Sequence, residues 1–527
     1  MEAAEHIPKN LQNAVAKLED AIGKANVNTS KMERLLYSHD LAPLPNIVQV
    51  AFKNVPDVVV RPTSTEDLQK IVKIAIEEEI PITPRGGSTW GLAGSVPVFA
   101  GILIDFTGAM NNILKIDEVN LTVTAQAGCT WKKVYDACLE KGLLLGSYPS
   151  SAPSATLGGW ISTGGSGFGS YKYGAAADNI RSMEVVMPDG TIVNTGFEKV
   201  IDNMTGYNLN RLICGAEGTL ALISNVTFKL VPAEVIRPLT YFFKDLPSLG
   251  KPLFEIAHKR VAPMSISFAN EEHFEMLKKI GRHVTEVTSA LNIVLEGDKE
   301  TVVHEESIID AIAAKYGGRK ADDATAQHEF DERSYEHRCN MVGLSSIPAE
   351  VVIPVKDFET FAIKCHEMMH DMKLTGAIIG NMADRNTVVF MPYYVFDPSD
   401  MLQMTVYGFN KKLGDYSFEF GGRPLTGFGA FFASSLDQLR GTGAKYIREI
   451  KKTIDPQDIM NPGKLTGTTL RYGITIPPAL FDVGMKGMAV AKLALPRNTQ
   501  FDDKAEAFAN ERMIKERAEK EHQHPKN

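Results

Sequence analysis

The tract Pro84-Arg85-Gly86-Gly87-Ser88-Thr89-Trp90-Gly91-Leu92-Ala93-Gly94-Ser95 constrains this chain most. It follows a strand-like run, Ile80 to Thr83, and strings permissive residues behind one arginine. Glycine admits positive φ and lets backbone N–H groups close on an anion, so such a loop can solvate a diphosphate without water. Taken alone the loop is equally compatible with an ordinary glycine-rich turn. A second tract runs from Leu157 through Gly158, Gly159, Ser162, Thr163, Gly164, Gly165 and Gly167 to Gly169, followed by Tyr171-Lys172-Tyr173-Gly174. A third, Gly215-Ala216-Glu217-Gly218-Thr219-Leu220-Ala221-Leu222-Ile223, precedes a terminal segment from Asp455-Pro456 to Asn461-Pro462-Gly463-Lys464. Each tract is a weak signal; the ordered set is a specific one.

A chain of 527 residues, 44% hydrophobic and 23% charged, is long enough for two or more packed domains. A net charge of -8 with no basic stripe argues against nucleic acid as a partner. The start, Met1-Glu2-Ala3-Ala4-Glu5, lacks the apolar core of a signal peptide, and no apolar run approaches bilayer length. The expected location is the cytoplasm, or a membrane reached through a partner. Cys129, Cys138, Cys214, Cys339 and Cys365 are odd in number and scattered, which offers no zinc or iron–sulfur spacing.

Leu11, Val15, Leu18 and Ile22 recur at helical spacing near the start. Val58 to Val60, a helix over Thr65 to Glu79 started at Thr63 or Ser64, and Ile80 to Thr83 form a strand–helix–strand unit leading into the first tract. Further strands are expected at Ile102 to Asp105, Leu121 to Gln126, Met183 to Met187 and Leu220 to Leu230, with a hairpin at Pro188-Asp189-Gly190. No G-x-G-x-x-G opens a helix after a strand, so a nucleotide would be held between two α+β lobes. From about Ala233 to Tyr416 strands are expected at Thr240 to Phe243, Ser265 to Phe268, Leu291 to Leu295, Val351 to Pro354, Ala377 to Ile379 and Thr387 to Phe390. A faint duplication, apolar strand then acidic turn then amphipathic helix, is consistent with a ferredoxin-like cap.

Together the four tracts resemble the FAD-binding domain of the p-cresol methylhydroxylase (PCMH-type) and vanillyl-alcohol oxidase superfamily. The likeness is greatest to its D-lactate dehydrogenase and glycolate oxidase flavoprotein branch, and runs from about Leu35 to Lys464. The resemblance implies an α+β fold: a two-lobed FAD-binding domain, a ferredoxin-like α+β substrate (cap) domain and a C-terminal extension. The expected boundaries are a helical segment over 1–50, the FAD domain over 51–232, the cap over 233–450, a return to the FAD domain over 451–475, and an extension over 476–527 that packs on the surface or docks a partner. It also implies an FAD-linked dehydrogenase that oxidises the CH–OH group of a small 2-hydroxy acid. Electrons would pass to a separate acceptor, an iron–sulfur or electron-transfer flavoprotein subunit or a quinone, within an oligomer or complex. Two alternatives stay open: oxidation of an aryl, sugar-derived or alkyl-glycerone phosphate type alcohol, and a flavoprotein subunit of a larger electron-transfer complex.

Carried onto this sequence, the cofactor-binding residues are Pro84, Arg85, Gly86, Gly87, Ser88, Thr89, Ser95, Ser150, Thr156, Leu157, Gly158, Ser162, Thr163, Gly165, Gly218, Ile223 and Asn461. Arg85 either pairs with phosphate or braces the loop through carbonyls, the short hydroxyls suit flavin polar atoms or turns, and Glu217 reads as a structural carboxylate capped by backbone amides. Covalent members of the superfamily carry a histidine where Ser88 stands, so the FAD is expected to be non-covalent. Arg338 matches an arginine that forks onto the substrate carboxylate, with Arg423 as a second candidate and His337 as proton acceptor. The family's His-rich motif and its Glu-His-Gly signature are replaced here by Gly376 to Asn386 and by Gly421 to Gly429, so no metal is expected. His366-Glu367-Met368-Met369-His370 fits a zinc-helix pattern by composition, but a half-buried amphipathic helix is the expected reading.

Overall fold

The structure is a computed structural model that describes residues 9–41, 51–201, 205–334, 338–424, 428–497 and 499–510. The chain divides into two compact units, one of Met1–Ala233 with Thr426–Asp482 and one of Glu234–Leu425 with Val483–Asn527.

In the first unit the short runs Val58–Val60 and Ile102–Asp105 are buried along their whole length, as strands covered on both faces are. With strands β1 (Val27–Asn28), β2 (Val58–Val60), β3 (Ile82–Arg85) and β4 (Ile102–Asp105), the order is β1-β2-β4-β3, and β2, β4 and β3 run parallel. The helix Thr65–Glu77 crosses from β2 to β3, and the Ser64 hydroxyl caps it by accepting from the Asp67 N–H at 3.2 Å. This crossover delivers the chain into the first glycine tract.

A second, antiparallel sheet contains β5 (Ile113–Asp117), β6 (Thr122–Gln126), β7 (Leu143–Leu145), β8 (Ile180–Val186), β9 (Ile192–Asn194) and β10 (Leu222–Pro232), in the order β5-β6-β10-β8-β9 with β7 on β10. The expected hairpin joins β8 to β9, with Gly190 at φ 81. Trp131 is fully buried, its ring 4.9 Å from Trp160 and 5.0 Å from Phe228, and its indole N–H donates to the Thr156 carbonyl at 3.2 Å. These contacts anchor the second glycine tract to the sheet.

The second unit holds β11 (Val235–Phe243), β12 (Ser265–Ala269), β13 (Ser289–Gly297), β14 (Arg319–Lys320), β15 (Ser345–Pro348), β16 (Val351–Pro354), β17 (Gly376–Met382), β18 (Thr387–Phe396) and β19 (Arg423–Pro424). Their order, β14-β11-β13-β12-β17-β18-β16-β19 with β15 on β18, resolves the faint duplication. Each half is a βαββαβ repeat in which the first strand lies between the third and the fourth. The crossing helices are Gly250–His258 and Lys299–Lys315 in one half and Phe358–Asp371 and Tyr407–Glu419 in the other. The second strands of the two halves, β12 and β17, pair antiparallel and make one continuous sheet.

One boundary differs from that read in the sequence. Residues 428–450 belong with the first unit rather than the cap. Phe428, Ala433, Leu436 and Ala444 form a local core there, and Ala430 packs with Phe52, Ala93, Val96 and Val98. Over its described length the tail beyond Val483 packs within the second unit. A Cβ on Gly408 would lie 2.2 Å from the Ala489 backbone nitrogen, so two helices meet backbone to backbone. Phe501 and Ala505 are 1% exposed and complete a core with Phe242, Phe274, Cys339 and Tyr393. Truncating such a side chain removes its burial and leaves a cavity, so Phe501→Ala is expected to cost the second unit about 3–5 kcal/mol, read from its thermal unfolding.

Candidate functional site

Three glycine tracts converge in the first unit because side chains are absent where backbones touch. A Cβ on Gly86 would sit 2.1 Å from the Thr156 hydroxyl, and one on Gly87 2.0 Å from the Ser154 carbonyl oxygen. A Cβ on Gly218, at φ +70, would meet Pro84 at 2.5 Å, and one on Gly164 would lie 3.3 Å from the Gly215 Cα. Gly429, at φ +52, would strike the Leu92 carbonyl oxygen at 1.9 Å. The loop after β3 is thus pressed between the second tract, the third tract and the segment around Gly429.

What the loop offers is a row of backbone donors. Among the described residues, the N–H groups of Gly86, Gly87, Ser88, Thr89, Trp90, Gly91 and Leu92 have no hydrogen-bond partner, although the residues are half-buried or buried. Unpaired buried donors cost about 1–3 kcal/mol each, so a row of them marks a place that an anionic group completes. The Trp90 indole nitrogen, the Ser166 hydroxyl and the Asn461 side-chain oxygen are buried and likewise without a partner. This donor-rich, glycine-walled cradle fits the pyrophosphate and polar edges of a dinucleotide.

The cradle is held from beneath. Glu217, at φ 51, is buried, and its carboxylate accepts from the N–H groups of Phe428 at 2.6 Å and Gly429 at 2.8 Å. Asn461 donates its amide to the carbonyls of Glu217 at 2.7 Å and Gly94 at 3.0 Å, and Lys464 donates to the Val96 carbonyl at 2.5 Å. Burial pushes the Lys464 ammonium down to about 7 against the opposing charges of Glu217 and Asp40, and burial raises Glu217 against its two amides and Lys464. Asp40 in turn accepts from the Ala93 N–H at 2.6 Å.

The remaining residues expected at the cofactor take framework roles. Arg85 donates to the carbonyls of His39 at 2.7 Å and Tyr37 at 3.4 Å and lies 5.2 Å from the Tyr37 ring, the bracing alternative rather than the phosphate one. The N–H groups of Leu157 and Gly158 donate to the Cys129 and Ala127 carbonyls. Thr156 caps Gly159, Ser162 donates to the Gly158 carbonyl and Thr163 to that of Trp160. Ser88 and Ser95 bond to one another at 2.8 Å, closing the loop. Ile223 is buried in β10, a Cβ on Gly165 would overlap the Trp160 ring, and Ser150 is half-buried in a turn. Sequence reasoning missed Asp40, Trp90, Ser166 and Lys464. Trp90, Ser166 and Lys464 lie inside the quoted motifs, while nothing local marked Asp40.

In the second unit Arg338 is buried, and its guanidinium pairs with the carboxylate of Glu332, also reaching the Glu332 carbonyl at 3.4 Å. Arg282 reaches the same Glu332 oxygen at 3.3 Å. Burial and the Arg282 charge bring Arg338 down to about 10, and burial pushes the neighbouring Glu329 carboxyl up to about 7. Arg423 is exposed on the edge strand β19, and its backbone pairs with Val352. His337 lies outside the described residues. In the stretch that replaces the His-rich motif, Asp384 accepts from the Asn386 and Thr387 N–H groups, and Arg385 donates to the carbonyls of Ala257, Lys259 and Val261. His366 is half-exposed and pairs with Glu272 at 2.9 Å, while Met368 and Met369 are buried, as an amphipathic helix requires.

Comparison with known proteins agrees with this geometry. Residues 56–196 match the FAD binding domain and residues 233–465 the C-terminal domain of FAD linked oxidases. The chain is 28% identical to glycolate oxidase subunit GlcD of Bacillus subtilis (strain 168), covering 84% of this chain and 94% of that protein. It is 30% identical to a D-lactate dehydrogenase of Archaeoglobus fulgidus, covering 77% of this chain and 91% of the relative. In fold it resembles p-cresol methylhydroxylase with substrate bound, at a TM-score of 0.75 and 20% identity over 87% of this chain and 97% of the other. The chain therefore belongs to the FAD-linked oxidases and is an FAD-dependent oxidoreductase.

Proposed function

We propose that the protein is a dehydrogenase that oxidises the CH–OH group of a small 2-hydroxy acid of the lactate or glycolate type and passes the electrons to a separate acceptor. The observation that carries this reading is the buried Arg338 guanidinium gripping a carboxylate, in a chain whose relatives are named for lactate and glycolate. Planar guanidinium matches carboxylate geometry, which a neutral alcohol does not offer.

FAD, when bound, supplies the two-electron acceptor. The chain's part is to hold it and to place the acid. We assign the pyrophosphate to the N–H groups of Gly86, Gly87, Ser88 and Thr89 and onward to Leu92, with Trp90, Ser166 and Asn461 offering polar atoms to the rest of the dinucleotide. Ser88 in the histidine's place supports non-covalent binding, and its hydroxyl is engaged with Ser95. Arg338 orients the substrate through its carboxylate.

The acceptor is proposed to be an iron–sulfur or flavoprotein subunit or a quinone, since one relative is named as a subunit and the cysteines here are free and scattered. Among the described residues no helix is long and apolar enough to cross a membrane. We place the protein in the cytoplasm, or at a membrane through that acceptor.

The holoprotein is to be mixed anaerobically with D- and L-lactate, glycolate, an aryl alcohol and a sugar while flavin absorbance is followed. Bleaching by a 2-hydroxy acid alone is expected; bleaching by the aryl alcohol or sugar with every hydroxy acid inert overturns the reading. Arg338→Ala is expected to lower kcat/KM for the acid about 10- to 100-fold, the loss of one charge-assisted contact of about 1.5–3 kcal/mol.

A further inference from the structure

Arg282 and Arg338 approach the chain from different segments, one after the helix Glu271–Lys279 and one after the helix Asp323–Glu332, yet their nitrogens converge on a single oxygen of Glu332. Two guanidiniums within Coulombic reach of one another repel, and an anion between them relieves that repulsion. Glu332 is an awkward choice for that anion. It is the last residue of its helix, where the macrodipole disfavours negative charge, so its carboxylate is held by the arginines against the helix rather than with it. Its side chain is also 32% exposed while that of Arg338 is 7% exposed. The acid is therefore on the accessible side of the pair and the base on the buried side.

We propose that Arg282 and Arg338 form a two-guanidinium carboxylate receptor that Glu332 fills in the resting protein, so that an acid substrate binds by exchanging its carboxylate for that of Glu332. Arg282 is then a second substrate-positioning residue and Glu332 an internal competitor. The exchange swaps one carboxylate for another on the same donors, so the receptor is never emptied of negative charge. It also selects for acids: a neutral alcohol brings no carboxylate in exchange for that of Glu332, which the buried Arg338 and the half-buried Arg282 both hold.

The inference rests on the hydroxy-acid reading above, and the test separates the two. Flavin bleaching by D-lactate or glycolate, whichever reduces the wild-type holoprotein, is measured for Glu332→Gln, Arg282→Ala and Arg338→Ala, with inhibition by propionate as a redox-free readout. Removing the competitor raises the fraction of receptor open to substrate, so Glu332→Gln is expected to lower KM and the propionate inhibition constant about tenfold, with the effect on KM rather than kcat. Arg282→Ala is expected to raise both constants about tenfold, from the loss of one charge-assisted contact. If Arg338→Ala raises KM while Glu332→Gln leaves it unchanged or raises it, carboxylate exchange is overturned and the hydroxy-acid reading stands. If Arg338→Ala leaves KM unchanged, the carboxylate grip and the exchange built on it are overturned, while the hydroxy-acid reading, carried by bleaching of the wild type, stands. Retained flavin absorbance and an unchanged melting temperature show which variants are folded, and Glu332→Asp, which keeps the charge but shortens the reach, gives a second test with the same expected fall in KM.

Discussion

Glu217→Ala is expected to lose its flavin on purification and to destabilise the first unit by about 3–5 kcal/mol, the range for removing one partner of a buried charge arrangement. The cause is local and countable. The Phe428 and Gly429 N–H groups lose their acceptor in a buried place, and Lys464 loses its nearest opposing charge. Gly429 presses on the Leu92 carbonyl, so its displacement releases the far end of the cradle loop. Glu217→Gln keeps one acceptor oxygen and is expected to fall between the two. The measurements are flavin content per chain and the temperature at which flavin fluorescence is released on heating. A Glu217→Ala protein that stays yellow and melts with the wild type overturns this role.

Gly87→Ala is expected to weaken FAD binding about 10- to 100-fold, because forcing an extra carbon into packed backbone costs about 1–3 kcal/mol. The added carbon would fall 2.0 Å from the Ser154 carbonyl oxygen and 3.0 Å from its carbon, and backbone cannot rotate away as a side chain can. The loop must therefore move off the second tract and carry its row of amides with it. Gly142→Ala is the control: Gly142 is at positive φ, 68, but nothing lies within 4 Å of the added carbon. It should cost a little stability and leave FAD affinity unchanged. Titration of the apoprotein with FAD measures both, and equal affinities for the two variants would remove the steric argument.

Much of this architecture was legible in the chain. Runs such as Val58 to Val60 and Ile102 to Asp105 can only be buried strands, and Thr387 to Phe390 lies within β18 as expected. The two-residue strands β14 and β19 carry no periodicity of their own; neighbours impose them through β11 and β16. The cap boundary near 450 was misread for a related reason. Nothing in the composition around Phe428 to Ala444 distinguishes a cap helix from one that packs on Leu439 and Ile447, so only contacts assign it. Likewise the tail reads as packing on the surface or docking a partner, while Phe501 and Ala505 are single apolar residues whose burial depends on a core assembled from distant strands.

The sequence by itself determined where backbone had to be bare. Glycine at 86, 87, 218 and 429 is dictated by contacts that no side chain tolerates, and that pattern survives in the order of residues without any coordinates. Tertiary structure alone decided which polar groups are used up and which are left over. Arg85 spends its donors on the His39 and Tyr37 carbonyls brought to it by folding, whereas the amides from Gly86 to Leu92 are left, among the described residues, facing no acceptor. It also decided that Arg338 grips Glu332 together with Arg282. A residue's type sets what it can bond to, but its partner is fixed by three-dimensional proximity, which residue order encodes only through the whole fold.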